Sequence, residues 1–200
     1  MNKSLLYIKG KGGCAEEADH YKTLFLDYYV FGLDYQGSKP WNVKSEILTA
    51  YHQLATKYKS VSVIANSIGA YFVMNALSSV EIERAFFISP IVDMEKVIIE
   101  IMLRSGVTET ELEEKKEIKT SFGEILSWDY LCYVKSHPIV WNIRTDILYG
   151  ENDNLTSMET ISEFAKRNKA TLTIMKNGEH WFHTEEQMAF LDKWIKNCLQ

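Results

Sequence analysis

Short apolar runs alternate with helical patterns along the whole chain, and this alternation limits the possible folds more than any other feature. Runs at Leu5–Ile8, Tyr29–Leu33, Val61–Ala65, Arg84–Ile88, Asp146–Tyr149 and Thr171–Met175 are rich in apolar, β-branched or aromatic residues and predict strands. Between them, Ala15–Leu24, Val43–Lys57, Ile68–Ser78, Ser157–Arg167 and Glu185–Asn197 predict helices. Parallel strands need long crossovers, and helical crossovers cover both faces of the sheet. The expected architecture is α/β: a three-layer α/β/α sandwich around a mostly parallel sheet of about six strands. A length of 200 residues suits a single domain, residues 1–200, that buries about 70% of its unfolded surface.

One segment interrupts the rhythm. Residues 93–142 separate two strands by far more than the ~2–6 residues usual in such units. Met94, Val97, Ile98, Ile101 and Met102 recur at helical spacing and stop near Gly106. Thr108 with Glu111 resembles a capping box for a second, highly charged helix, and Ser127–Ser136 suits a third. The segment is expected to be a helical cap or lid insertion, with extra packing on the sheet edge as the plainer alternative.

The pentapeptide Ala65-Asn66-Ser67-Ile68-Gly69 lies where the third strand runs into the third helix. A serine between small residues at a strand-to-helix turn is the context of a nucleophile elbow, where side chains beyond a methyl would clash two positions either side. The helix that follows points its N–H groups and positive dipole end at the turn. The first strand ends in Lys9-Gly10-Lys11-Gly12-Gly13. No phosphate-loop spacing is present, so a backbone oxyanion loop is the better interpretation, with the N–H groups of Lys11 and Ile68 as the expected donors.

Two further loops complete the set. Asp153 follows the strand Asp146–Tyr149, and Thr156 with Glu159 is positioned as the capping box of the next helix, which leaves Asp153 for another role. Asp93 is the reserve acid, and helix N-capping is its plainer role. His180 lies beyond the last strand, at the carboxyl edge where sites of open α/β sheets lie. His183 precedes the capping pair Thr184 and Gln187, so His180 is the better base. His20, His52 and His137 are taken as structural.

With Ser67, Asp153 and His180 in that order behind a glycine loop, the chain resembles the α/β-hydrolase superfamily over almost its whole length, in particular its small bacterial-type members. It departs from common patterns at Lys9, where many members carry His, at Ala65, where Gly is usual, and at Asn66, where His is frequent. The first strands of larger members are not evident. The resemblance implies a serine hydrolase, carboxylesterase-like (EC 3.1.1), with Ser67 as nucleophile, His180 as base and Asp153 as its orienting acid. It implies no metal and no organic cofactor.

The remaining composition narrows the partners. A net charge of −5 with no Lys/Arg-rich block disfavours nucleic acid and anionic membranes, leaving a small-molecule acyl substrate as the expected partner. Cys14, Cys132 and Cys198 are odd in number and scattered, which fits a reducing compartment and a cytoplasmic location. No signal-peptide core and no apolar run of about 18 residues appears, so no membrane insertion is expected. Tyr35, Trp41, Trp128 and Trp181 are candidates for lining a pocket. Thioester hydrolysis, acyl transfer and peptide cleavage use the same three residues, and a non-catalytic binding protein on the same scaffold is the alternative of another class.

Overall fold

A computed structural model describes residues 1–200. Six strands form one sheet: β1 (Lys3–Ile8), β2 (Tyr28–Leu33), β3 (Ser60–Asn66), β4 (Ala85–Ile88), β7 (Thr145–Gly150) and β8 (Thr171–Met175). Their order is β2-β1-β3-β4-β7-β8 and every pairing is parallel. The crossovers carry α1 (Ala18–Lys22), α2 (Pro40–Ala55), α3 (Ile68–Leu77) and α7 (Met158–Arg167), and α8 (Glu185–Leu199) ends the chain. All six predicted strands are present, within one residue at their ends except for β1, which starts two residues earlier. The first predicted helix divides into a 3-10 turn, Ala15–Glu17, and the short α1. Helix α2 starts three residues earlier than expected, at Pro40, because proline at N1 loses nothing by lacking an N–H.

Alternation along the strands sorts side chains to two faces. Leu5, Tyr7, Ile64, Phe86, Ile88 and Leu148 pack with Tyr21 of α1 and Leu191, Trp194 and Ile195 of α8. The other face presents Leu6, Ile8, Val63, Ala65, Phe87 and Tyr149, all nearly or fully buried, on the side of α2 and α3. At the sheet's amino edge, Arg84 Nε donates to Asp146 Oδ2 at 2.5 Å and a second guanidinium nitrogen donates to the Cys198 carbonyl. That bond ties the end of α8 to two strands.

Cys198 sits in this corner, and burial, reinforced by the Asp146 charge, pushes its thiol up to about 11. At pH 8 its thiolate fraction is then roughly one part in a thousand, whereas Cys14 and Cys132 are exposed. Iodoacetamide at pH 8 is expected to alkylate Cys14 and Cys132 quickly and Cys198 at least about tenfold more slowly, as read by peptide mass. Equal rates at all three positions would contradict this packing.

Residues 93–139 form a second compact unit. It contains α4 (Met94–Ser105), α5 (Glu109–Lys115), a hairpin of β5 (Glu117–Lys119) and β6 (Ile125–Ser127), and α6 (Trp128–Ser136). Asp93, Thr108 and Ser127 cap its three helices, and Gly106 ends α4 in the left-handed region at φ 66°. The hairpin was not expected. The unit closes before 142 because Trp141 packs against the sheet, where its ring meets Phe87 and Nε1 donates to Thr145 Oγ1 at 2.8 Å. No helix is long and apolar enough to cross a membrane.

Candidate active site

Ser67 stands between β3 and α3 with φ 51° and ψ −122°, a conformation that costs a residue with a β-carbon about 1–3 kcal/mol. Neighbouring backbone holds it there. Its N–H donates to the Ile88 carbonyl at 3.0 Å, and its carbonyl accepts from Ala70 and Ile91, each at 3.1 Å. Two positions on, a β-carbon at Gly69 would lie 2.5 Å from the Lys9 carbonyl oxygen and 2.7 Å from that of Ile8, so the turn tolerates no side chain there. Two positions before, the methyl of Ala65 is fully buried.

The hydroxyl of Ser67 meets His180 Nε2 at 2.8 Å, and His180 Nδ1 meets Asp153 Oδ2 at 2.7 Å. The Asp153 side chain is 0% exposed, so its charge depends on protein partners. It has them: Oδ1 accepts from the N–H groups of Leu155 at 2.8 Å and Thr156 at 3.1 Å, and Oδ2 faces the imidazole. A carboxylate facing Nδ1 fixes the tautomer with the proton on that nitrogen, leaving Nε2 as acceptor for the serine hydroxyl. Nearby, Tyr149 donates to the Thr156 carbonyl at 2.6 Å, and burial together with the Asp153 charge pushes its phenol up to about 12. The arrangement can move a proton from Ser67 to His180 while Asp153 holds the ring.

Asp153 therefore makes its turn and reaches the histidine, one oxygen for each task. The capping argument that singled it out needs correction. Ser157, not Thr156, caps α7 by accepting from Thr160 N–H, while the buried Thr156 hydroxyl donates to the Pro90 carbonyl. Asp93 is exposed and caps α4. His183 is exposed, its ring beside the Trp181 carbonyl, and Thr184 with Gln187 forms the full capping box of α8. His20 pairs with Asp192 at 2.7 Å.

The two expected oxyanion donors belong to the helix entry and to the glycine loop. Ile68 opens α3, and Lys11 lies in the turn closed by Gly13 N–H to the Gly10 carbonyl at 3.3 Å. The loop runs close to the elbow: a β-carbon at Gly10 would sit 3.4 Å from Ser67 Cβ. Lys9, in the place where histidine is common, pairs with Asp34 at 3.2 Å, and its carbonyl accepts from Tyr35 at 3.1 Å. Tyr35 is thus a buried brace for the loop, while the Trp181 indole is 71% exposed and stacked on His183.

Est1E from Butyrivibrio proteoclasticus is similar in structure, with a TM-score of 0.77 at 17% identity over 100% of this chain and 88% of that one. Alpha/beta hydrolase domain-containing protein 10 from mouse gives 0.72 at 13% identity, over 98% of this chain and 89% of that one. The Pyrococcus furiosus esterase Pf2001 gives 0.60 at 19%, over 98% and 80%. The chain has the α/β-hydrolase fold. No protein-family model and no curated protein matches its sequence.

Within this hydrolase fold, Ser67, Asp153 and His180 all lie at the carboxyl edge of the sheet, after β3, β7 and β8. A cleft of about 500 Å³ bordered by Arg84, Arg144, Lys193 and Trp194 lies at the opposite edge and includes none of the three. No cluster of histidine, cysteine and acidic side chains is arranged to hold a metal ion. Two features near the serine went unnoticed in the sequence. Ser89, after β4, is buried at φ 43° with no partner for its hydroxyl, and Tyr7 hydrogen-bonds to Asn66, the residue before Ser67. A tyrosine inside an apolar strand run gives no signal of a polar role.

Proposed function

We propose that the chain is a serine hydrolase that cleaves a small or medium carboxylic ester through an acyl-enzyme. The observation that carries this is the 2.8 Å contact of Ser67 Oγ with His180 Nε2, backed by the 2.7 Å contact of Nδ1 with Asp153. His180 accepts the serine proton as Oγ attacks the acyl carbon, and the carbonyl oxygen takes up the electron pair as an oxyanion. We assign its stabilisation to the N–H groups of Lys11 and Ile68. Collapse of the tetrahedral intermediate breaks the bond to the leaving alkoxide, which receives the proton from His180. Water then attacks the acyl-enzyme by the same route and frees the acid. Asp153 stabilises the imidazolium in both halves.

The esterases among its structural neighbours support an ester as substrate. The binding-protein alternative would draw support from a serine misaligned with its histidine, and the short contact offers none. Two exposed, unpaired cysteines support work in a reducing compartment such as the cytoplasm.

A fluorophosphonate tests the assignment directly. Intact mass is expected to show one adduct on the native chain and none on Ser67→Ala or His180→Ala. A folded native chain that stays unlabelled, or an adduct that persists in Ser67→Ala, would overturn it.

A further inference from the structure

The serine turn and the turn that follows the glycine loop are joined by side-chain hydrogen bonds that the proposed reaction does not itself use. Tyr7, fully buried on β1, lies three residues before Gly10. Its hydroxyl accepts from Asn66 Nδ2 at 3.1 Å and donates to the carboxylate of Glu17, in the turn that follows the loop. Asn66 immediately precedes Ser67, and with its Oδ1 buried and unpartnered the side chain is held through Nδ2. At the far end, the Glu17 carboxylate lies against the last glycine of the loop: a β-carbon at Gly13 would come within 2.9 and 3.0 Å of its two oxygens. One end of the relay thus grips the residue before the serine, and the other supports the loop.

We propose that Glu17, Tyr7 and Asn66 are positioning residues that hold the loop Lys9–Cys14 in register with Ser67, so that the N–H groups of Lys11 and Ile68 converge on one oxyanion. The functional half of this rests on the serine-hydrolase assignment. Tyr7 is suited to the middle of the relay. Burial first, then the bond to Glu17, raises its phenol far above the usual range, so it remains a donor at any pH the protein tolerates. A hydroxyl clamped between an amide and a carboxylate away from water makes strong, directional bonds. The surrounding packing adds rigidity, with the Tyr21 ring 5.4 Å from that of Tyr7.

Two measurements separate the relay from the reaction. The first is amide hydrogen exchange of the peptide spanning Lys9–Cys14, which needs no activity. Tyr7→Phe and Glu17→Gln are each expected to speed its exchange about tenfold or more, with the sheet's exchange unchanged. The second is steady-state hydrolysis of p-nitrophenyl acetate. The same variants are expected to lose about 10–100-fold in kcat with KM within about threefold, because misplaced oxyanion donors weaken the transition state and not the ground state. Gly13→Ala, which pushes on Glu17 from the loop side, should reproduce both effects. Glu17 is exposed as a residue, so Glu17→Gln keeps the test open should Tyr7→Phe fail to fold.

Exchange and kcat both at native values in folded variants would overturn the proposal. Faster exchange with native kcat would overturn its functional half and leave a purely structural brace. A native chain with no esterase activity and no fluorophosphonate adduct would instead overturn the hydrolase assignment, with exchange still deciding whether the relay holds the loop.

Discussion

Ser67→Ala is expected to lower ester turnover by about five to six orders of magnitude while leaving the chain folded. The size follows from cooperation among the three residues. Without the nucleophile, His180 and Asp153 have no proton to move and only binding and oxyanion stabilisation remain. Stability should change by less than about 1 kcal/mol, because the lost hydroxyl bonds only a histidine whose side chain is 16% exposed and can turn to water. Ser67→Gly sharpens the test. At φ 51° and ψ −122° a β-carbon costs about 1–3 kcal/mol, and glycine removes that cost while giving back about 0.5–1 kcal/mol through its freer unfolded chain. Urea denaturation should therefore find Ser67→Gly more stable than Ser67→Ala, with both inactive. Activity above about one per cent of native in Ser67→Ala would remove the serine from the chemistry; equal stability of the two variants would limit the strain at this turn to about 1 kcal/mol or less.

Strand positions were readable because the runs are rich in apolar or β-branched residues and end at glycine, asparagine, serine or a charged residue; Val61–Ala65 and Asp146–Tyr149 match β3 and β7 within one residue at each end. Strand order was not readable, since nothing local to β1 says that it lies between β2 and β3. The hairpin of Glu117–Lys119 with Ile125–Ser127 was hidden because three residues per strand are too few for alternation to show against a charged stretch. Ser67, Asp153 and His180 were visible for a different reason. Each sits in a short loop after a strand, where the fold collects residues that sequence separates by 27 and 113 positions, as the His180 contacts show. Thr156 misled because one threonine can satisfy a capping pattern while its neighbour Ser157 holds the better position for α7. Tyr7, Asn66 and Glu17 were missed because their meeting depends on the register Tyr7 with Ile64, which only the paired strands define.

Gly150→Ala is expected to cost about 3 kcal/mol of stability and about a hundredfold in kcat, although Gly150 touches neither substrate nor nucleophile. Gly150 ends β7, and a β-carbon there would lie 2.4 Å from the Glu179 carbonyl oxygen and 2.6 Å from that of Gly178. Both contacts are with backbone, so no flexible side chain can yield. The two loops are also bonded where they meet. Glu151 N–H donates to the Met175 carbonyl at 3.0 Å, Asn152 N–H to that of Gly178 at 2.8 Å, and Asn177 N–H to the Glu151 carboxylate at 3.0 Å. One loop carries Asp153 and the other His180. A methyl group at 150 must drive them apart or break this ladder, and displacement of His180 by about 1 Å from Ser67 suffices for a hundredfold loss. Stability by urea denaturation and kcat on p-nitrophenyl acetate should fall together, with fluorophosphonate labelling slowed in proportion because it uses the same serine and histidine. Native kcat in a destabilised variant would mean that the loops yield without moving His180. Native stability would mean that the close approach at Gly150 is not as tight as 2.4 Å.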